Sequence, residues 1–352
     1  MYNSSEENII RLTEMSKRMR LKGLDMALST GNGGSHLGGS FSCMEILAVL
    51  YGEVLNLFDE SELCKPTRNK SETELCKPES DGSKSTLCKL SENRDIFIPS
   101  KNHCVLAHIP ALAEAGIISQ DECLEFQKNG GRLAGYPMRP EIGLEYSGGS
   151  LGMAISVEIG MALAEKEKEP NDIDWKSRRK FYVLMGDAEL NEGSIWEAFM
   201  SAAHFKLDNL VAIIDRNHLS YDGDTEEVMA LGDIAGKLRS FGWYVSECNG
   251  RDVGDVLSAF DERYINDKSA DTMGHGNDKE SWTLSENALC KPHAIIVDTI
   301  KGMGVSFMEG HPEFHHRRLS QAEYDQARAE ILGDVIGDDI SPEDKKKKEE
   351  VL

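Results

Sequence analysis

No apolar run in the 352-residue chain approaches the roughly 18 residues that a membrane-spanning helix needs. Positive charge is scarce: 39 Lys and Arg stand against 61 Asp and Glu, for a net charge of −22. That balance argues against nonspecific binding to nucleic acid or to an anionic membrane, and it reads as a solvated acidic surface. The N-terminal stretch MYNSSEENIIRLTEMSKRMR is charged throughout and amphipathic, unlike a signal peptide. A cytoplasmic location is therefore expected, where thiols stay reduced. Short Cys-x2-Cys pairs, the usual mark of structural zinc, are missing from the eight cysteines.

An apolar share of 40% is compatible with a soluble globular core, and the length suits one large or two ordinary domains. A polar word interrupts the chain. Leu63-Cys64-Lys65-Pro66 returns twelve positions on as Leu75-Cys76-Lys77-Pro78, and again as Leu87-Cys88-Lys89-Leu90. It recurs far downstream as Leu289-Cys290-Lys291-Pro292. Its surroundings are polar, the first rich in Ser, Glu, Lys and Pro, so two low-complexity insertions are expected, at about 60–92 and 268–290, exposed and without bound metal. Cys43, Cys104, Cys123 and Cys248 read as small core or edge residues. Residues 336–352 read as a charged tail.

Elsewhere helices and short apolar runs alternate. Helices are expected over 6–28, 44–57 (with Ser40 as its cap), 153–167, 195–205, 230–240 and 253–263, by apolar spacing. Strands are expected over 95–99, 181–185, 210–214, 243–246 and 293–299. Phe181-Tyr182-Val183-Leu184-Met185 leads into Gly186-Asp187-Ala188-Glu189, and Leu210-Val211-Ala212-Ile213-Ile214 leads into Asp215-Arg216-Asn217-His218-Leu219. In a parallel α/β sheet such turns lie side by side at the carboxyl ends of neighbouring strands, where ligands bind. An Asp, an Asn and a carbonyl supply hard oxygens, too few for a full cage, so a Mg²⁺ held there would need phosphate oxygens as well. The helix following Asp187 is expected to aim its N-terminus at the same spot, which suits an anion.

The stretch GDAELNEGSIWEAFMSAAHFKLDNLVAIIDRNHLSYDG, residues 186–223, resembles the metal and diphosphate motif of thiamine-diphosphate enzymes. With Glu192, Trp196, Glu197, His204 and Asp222-Gly223 also in place, it resembles the transketolase family in particular. The resemblance covers nearly the whole chain outside the two insertions. It implies one domain over 1–335 with an α/β fold: a three-layer parallel sheet with helices on both faces, binding thiamine diphosphate. It implies Mg²⁺ (or Ca²⁺) on Asp187, Asn217 and the carbonyl of Leu219. It places His103, Gly149, Leu151, Gly186, Asp187, Ala188 and Asn217 at the cofactor, His36, His103 and His315 in catalysis, and His36, Tyr136 and His315 at the substrate. Four positions depart from the family pattern: Ala188 replaces the last Gly of Gly-Asp-Gly, Tyr136 replaces a His, Asn102 stands where Gly precedes His103, and Met153 replaces a Gln.

The family reaction moves a two-carbon ketol unit from a ketose to an aldose, often as phosphates. A full transketolase also has a pyrimidine domain, whose Glu activates the cofactor, and no stretch here resembles it. The chain therefore looks like the N-terminal subunit of a split transketolase, needing a separate C-terminal subunit, most simply as α₂β₂. Glu192 and Glu197 then either face that partner or serve as acids at a helix N-terminus. Two rival readings stay open: the α subunit of another thiamine-diphosphate enzyme (2-oxo acid dehydrogenase or deoxyxylulose-phosphate synthase type), and a non-catalytic half that binds a partner. His311 and His316 read as surface residues.

Overall fold

A computed structural model of the chain describes residues 2–59, 87–168, 178–265 and 291–333. The apolar runs become five parallel strands: β1 (Ile96–Pro99), β2 (Phe181–Gly186), β3 (Leu210–Arg216), β4 (Tyr244–Asn249) and β5 (His293–Asp298). Their spatial order is β1-β2-β3-β5-β4. Successive side chains of a strand point to opposite faces, so a run without polar alternation must be covered on both. Tyr182 and Leu184 of β2, with Val211 and Ile213 of β3, belong to one core. Phe181, Val183 and Met185, with Leu210, Ala212 and Ile214, belong to another.

Helices close each face. The first core takes side chains from α1 (Glu6–Ser29), α2 (Gly38–Phe41), α3 (Met44–Val49) and α4 (Val105–Glu114). The second takes them from α5 (Ala154–Lys168), α6 (Gly193–His204) and, beyond the short α7 (Thr225–Met229), from α8 (Ile234–Ser240). The first is completed by α9 (Val253–Ile265) and α10 (Gln321–Leu332), the latter opened by a Ser320/Glu323 capping box. This is the expected three-layer arrangement. Helix α4 carries Pro110 in its interior, which removes the donor for the carbonyl of Leu106 four residues back. Gly23 of α1 comes close to that carbonyl: a Cβ at Gly23 would lie 2.9 Å from the Leu106 oxygen.

Several expectations need correction. The helix expected over 44–57 is α-helical only to Val49, and Leu50–Val54 form a wider π turn closed by Leu55 N–H donating to Leu50 O at 2.8 Å. That turn brings Gly52 against Leu12, where a Cβ would sit 2.4 Å from a Leu12 methyl. The helix expected from 230 starts at Ile234, because the Asp233 carboxylate accepts from Gly236 N–H at 2.7 Å and caps it there. Ser40 does not cap α3; it lies within α2 and donates to the carbonyl of His36 at 2.7 Å. Exposure expected up to residue 92 stops earlier: Leu90 and Ser91 are buried, and Ser91 N–H donates to Leu57 O at 2.9 Å. Residues 60–86 of the first insertion, all of the second and the charged tail lie outside the described residues. Cys43, Cys104, Cys123 and Cys248 are buried, as expected.

Glu158 is the anomaly of the second layer. It sits on α5 at 0% exposure, and among the described residues neither of its carboxylate oxygens has a hydrogen-bond partner of standard geometry. Burial pushes its carboxyl well above the usual range, and the Tyr182 main chain offsets only part of that. The folded state then holds a proton that the unfolded chain releases near its ordinary value of 4.5, so stability falls as pH rises from there through the folded-state pKa. Glu158→Met is expected to stabilise the protein by about 1–3 kcal/mol at neutral pH. The gain in Tm should grow between pH 5 and pH 8, read by thermal unfolding at each pH; a gain that is flat or shrinks with pH contradicts the assignment.

Candidate functional site

Strands β2 and β3 pair in register to their ends, with Gly186 opposite Asp215, so the turns that leave them start side by side. Asp187 N–H donates to Asp215 O at 3.1 Å. The Asp187 carboxylate accepts from Ala188 N–H and from His218 N–H, each at 2.8 Å. His218 presents that amide because its φ is 63°, in the left-handed region that few non-glycine residues adopt. Leu219 N–H donates to Asn217 Oδ1 at 3.2 Å. The two turns thus interlock, and the carboxylate of Asp187, the amide oxygen of Asn217 and the carbonyl of Leu219 all belong to them. Burial, followed by the charge of Asp215, pushes the Asp187 carboxyl above its ordinary range. The Arg216 guanidinium lies 3.6 Å from the same carboxylate and offsets part of that rise.

Beneath these turns lies a buried ion pair. The Lys101 ammonium donates to Asp215 Oδ2, which also accepts from Ser42 Oγ at 2.6 Å and from Asn217 Nδ2 at 3.1 Å. Asp215 Oδ1 accepts from the Thr299 hydroxyl. Burial works against ionising Asp215, but Lys101, Ser42 and Thr299 outweigh it and hold the carboxyl below its usual range. Lys101 also donates to Gly39 O at 2.8 Å, fixing the Gly-rich loop after His36. A second ammonium, that of Lys301, donates to Leu219 O at 2.9 Å and Ser220 O at 2.8 Å. Burial and then the charge of Lys101 bring Lys301 down to about 8. Glu189 ties β2 to the glycine turn of 149–152: its carboxylate accepts from Ser100 Oγ, from Gly152 N–H at 2.8 Å and from Gly186 N–H at 3.2 Å.

The three histidines expected at the site meet there. Ring centroids of His36 and His103 are 5.4 Å apart, those of His36 and His315 5.5 Å, and those of His103 and His315 5.2 Å. His103 packs on Gly39, where a Cβ would stand 3.1 Å from its Nε2. His315 Nδ1 is buried and has no hydrogen-bond partner among the described residues. All three rings are held neutral. Burial is the first cause for each; His316 and Lys301 then bring His36 to about 4, and Lys301 and His36 bring His315 to about 3. His103 is lowered by burial and by Lys101.

The remaining expected residues fall as follows. Tyr136 is exposed beside Gly149, whose Cβ would lie 3.9 Å from its ring, and no described contact joins it to the histidines. Leu151 and Met153 are 38% and 49% exposed on either side of Gly152. Glu192 and Glu197 are both exposed, the first as the residue that precedes α6. Ala188 needs no left-handed backbone: it opens a 3₁₀ turn, Ala188–Asn191. The helix expected over 195–205 is α6, Gly193–His204, and the first amides after Asp187 belong to the 3₁₀ turn that precedes it. His316 is exposed, as expected of a surface residue, and its ring centroid lies 4.4 Å from that of His36.

Sequence reasoning gave no role to Lys101, Asp215, Glu189, Lys301 or Tyr221, whose ring stands edge-on to His315 at 5.1 Å. Position alone held a signal for Asp215, a carboxylate closing an otherwise apolar strand two residues before Asn217.

Three comparisons with known proteins bear on this geometry. The family described as "Transketolase, thiamine diphosphate binding domain" matches residues 89–273. An apulose-4-phosphate transketolase subunit of Phocaeicola vulgatus is 36% identical over 84% of this chain and 85% of its own length. Its namesake in Actinobacillus succinogenes is 33% identical over 94% of this chain and 98% of its own. Among solved structures, transketolase from Leishmania mexicana superposes with a TM-score of 0.68 at 22% identity, over 95% of this chain. The present chain spans 43% of that protein.

The histidine environment is open to direct test. Because the folded-state pKa values lie below the ordinary 6.5, the rings contribute stability that is present above that pH and lost as pH falls toward the folded values. In NMR titration of the ring protons, His36, His103 and His315 are expected to keep neutral-form shifts from pH 8 down to pH 5.5. A midpoint near 6.5 for any of them contradicts this environment.

Proposed function

Because the chain belongs to the transketolase family, we propose that it is the cofactor-binding N-terminal subunit of a two-subunit transketolase. It moves a two-carbon ketol unit from a ketose to an aldose, as sugar phosphates, together with a separate subunit that carries the pyrimidine domain. The observation that carries this reading is the interlock of the β2 and β3 turns through Asp187 and His218, beside three neutral histidines. Both relatives are named as single subunits of a transketolase, which supports the need for a partner.

The residues present fit thiamine diphosphate and a hard divalent cation, Mg²⁺ or Ca²⁺. The carboxylate of Asp187, the amide oxygen of Asn217 and the carbonyl of Leu219, which also accepts from Lys301, are oxygen donors of the right kind for such a cation. The ammonium of Lys301 and the amides of the 188–191 turn suit a diphosphate, with Gly186, Ala188 and His103 along it. Gly149 and Leu151 offer an exposed apolar edge for a heterocycle. When bound, thiamine diphosphate supplies the electron-rich carbon that takes up and passes on the ketol unit. His36, His103 and His315, being neutral, can each accept a proton at one ring nitrogen and donate from the other, so they hold sugar oxygens and move protons between them. Tyr136, beside Gly149, would offer the substrate a hydroxyl where the family pattern has a His. The neutral histidine trio favours sugar chemistry over 2-oxo acid decarboxylation.

Leu151, Met153 and Tyr221, the last 68% exposed, leave the cofactor side open to water. A low-dielectric wall is needed there for the chemistry, and the partner subunit supplies it, with Glu192 and Glu197 facing it in an α₂β₂ assembly. A cytoplasmic setting belongs to the same proposal. Asp187→Ala is expected to weaken metal-dependent thiamine diphosphate binding in calorimetry. The loss should exceed the roughly 10- to 100-fold typical of losing an outer-shell partner; undiminished binding refutes the metal assignment. The purified chain alone should transfer no ketol units and should gain activity on mixing with a pyrimidine-domain subunit. Transfer by the isolated chain, at a rate no partner changes, refutes the two-subunit reading.

A further inference from the structure

We propose that Asp215, paired with Lys101, is a positioning residue that sets which face of the Asn217 side-chain amide meets the metal. The inference rests on the cofactor reading above and extends it by one shell. A side-chain amide presents an acceptor on one side and donors on the other, and a half-turn exchanges them. Only one orientation gives a cation an oxygen. Asp215 Oδ2, an acceptor, lies 3.1 Å from Asn217 Nδ2, so the NH₂ group is drawn down onto Asp215 and Oδ1 is turned outward, where Leu219 N–H also meets it.

Asp215 can act in this way only while its charge is held in the interior. It is fully buried, and Lys101, also buried, is the cation that faces it. Ser42 and Thr299 donate to it as well and fix the plane of its carboxylate. The same Lys101 ammonium donates to Gly39 O, and Gly39 is the floor on which His103 rests. One buried pair therefore sets the orientation of a metal ligand and the height of a site histidine together.

The test uses full-length chain, thiamine diphosphate and Mn²⁺, with bound metal read from the loss of the free Mn²⁺ resonance. Two charge-neutral double variants are compared. Lys101→Met with Asp215→Leu removes the acceptor beneath Asn217; Lys101→Met with Asp215→Asn keeps an acceptor oxygen there. The Leu variant is expected to weaken Mn²⁺ binding roughly 10- to 100-fold while unfolding cooperatively, and the Asn variant to recover most of the loss. A third variant, Asn217→Asp, leaves the buried pair intact and turns a second carboxylate onto Asp215. It is expected to bind Mn²⁺ more weakly despite its added negative charge. Mn²⁺ binding by the Leu variant as tight as wild type, an Asn variant as weak as the Leu variant, or tighter binding by Asn217→Asp would each overturn the inference. Wild-type chain that takes up no Mn²⁺ with thiamine diphosphate overturns the cofactor reading itself, whereas wild-type uptake with unaffected variants overturns the positioning role alone.

Discussion

An ammonium and a carboxylate that meet out of water are costly to bury, and they persist only when geometry and further hydrogen bonds compensate. Lys101 and Asp215 meet that condition through donors drawn from separate parts of the chain. Ser42 comes from the junction of α2 and α3, Asn217 from the turn after β3, and Thr299 from the end of β5. Lys101 reaches back to Gly39 in turn. Such a pair contributes little net stability relative to an apolar replacement, but leaving either charge alone costs about 3–5 kcal/mol. What its hydrogen bonds do show is that segments ending at the carboxyl edge of the sheet are tied to one another through it.

Much of this was legible in the residues. The strands of a parallel sheet covered on both faces read as unbroken apolar runs, and β2, β3 and β5 were found that way. The turns after β2 and β3 showed themselves by an Asp and an Asn at strand ends. His36 and His315 lie far apart in sequence, and only the resemblance of their local wording put them in one place. What stayed hidden has a common cause, since periodicity reports an element's faces but not what lies beyond them. A Lys before a helix reads as solvent-facing, so Lys101 passed unnoticed until its partner was visible. Glu158 looks like an ordinary outward residue of α5. His316 is exposed, as its sequence context suggested, yet touches the site from outside. The π turn of Leu50–Val54 goes with the close approach of Gly52 to Leu12, a tertiary contact that local spacing does not report.

The site is electrically divided. Lys101, Lys301 and Arg216 supply positive charge at the turns, Asp187 and Asp215 supply negative charge there, and burial, then those lysines, deny the histidines above a proton. Proton exchange and charge binding are thereby assigned to different groups a few ångströms apart. Imidazoles that stay neutral well below their ordinary pKa can work as acceptors and donors across the physiological range.

The margin of the first polar interruption has a separate meaning. Asn56 and Asp95 exchange main-chain and side-chain hydrogen bonds at 2.9 Å, Ser91 N–H reaches Leu57 O, and the Ser91 hydroxyl reaches Asp59. The two banks of the interruption are therefore clasped to each other directly, whatever chain joins them. Closing a flexible loop grows more costly only slowly, by about 0.6 kcal/mol for each doubling of its length. The chain between its banks can therefore change in length, as a repeated twelve-residue word would change it, at little cost to the sheet that the clasp adjoins.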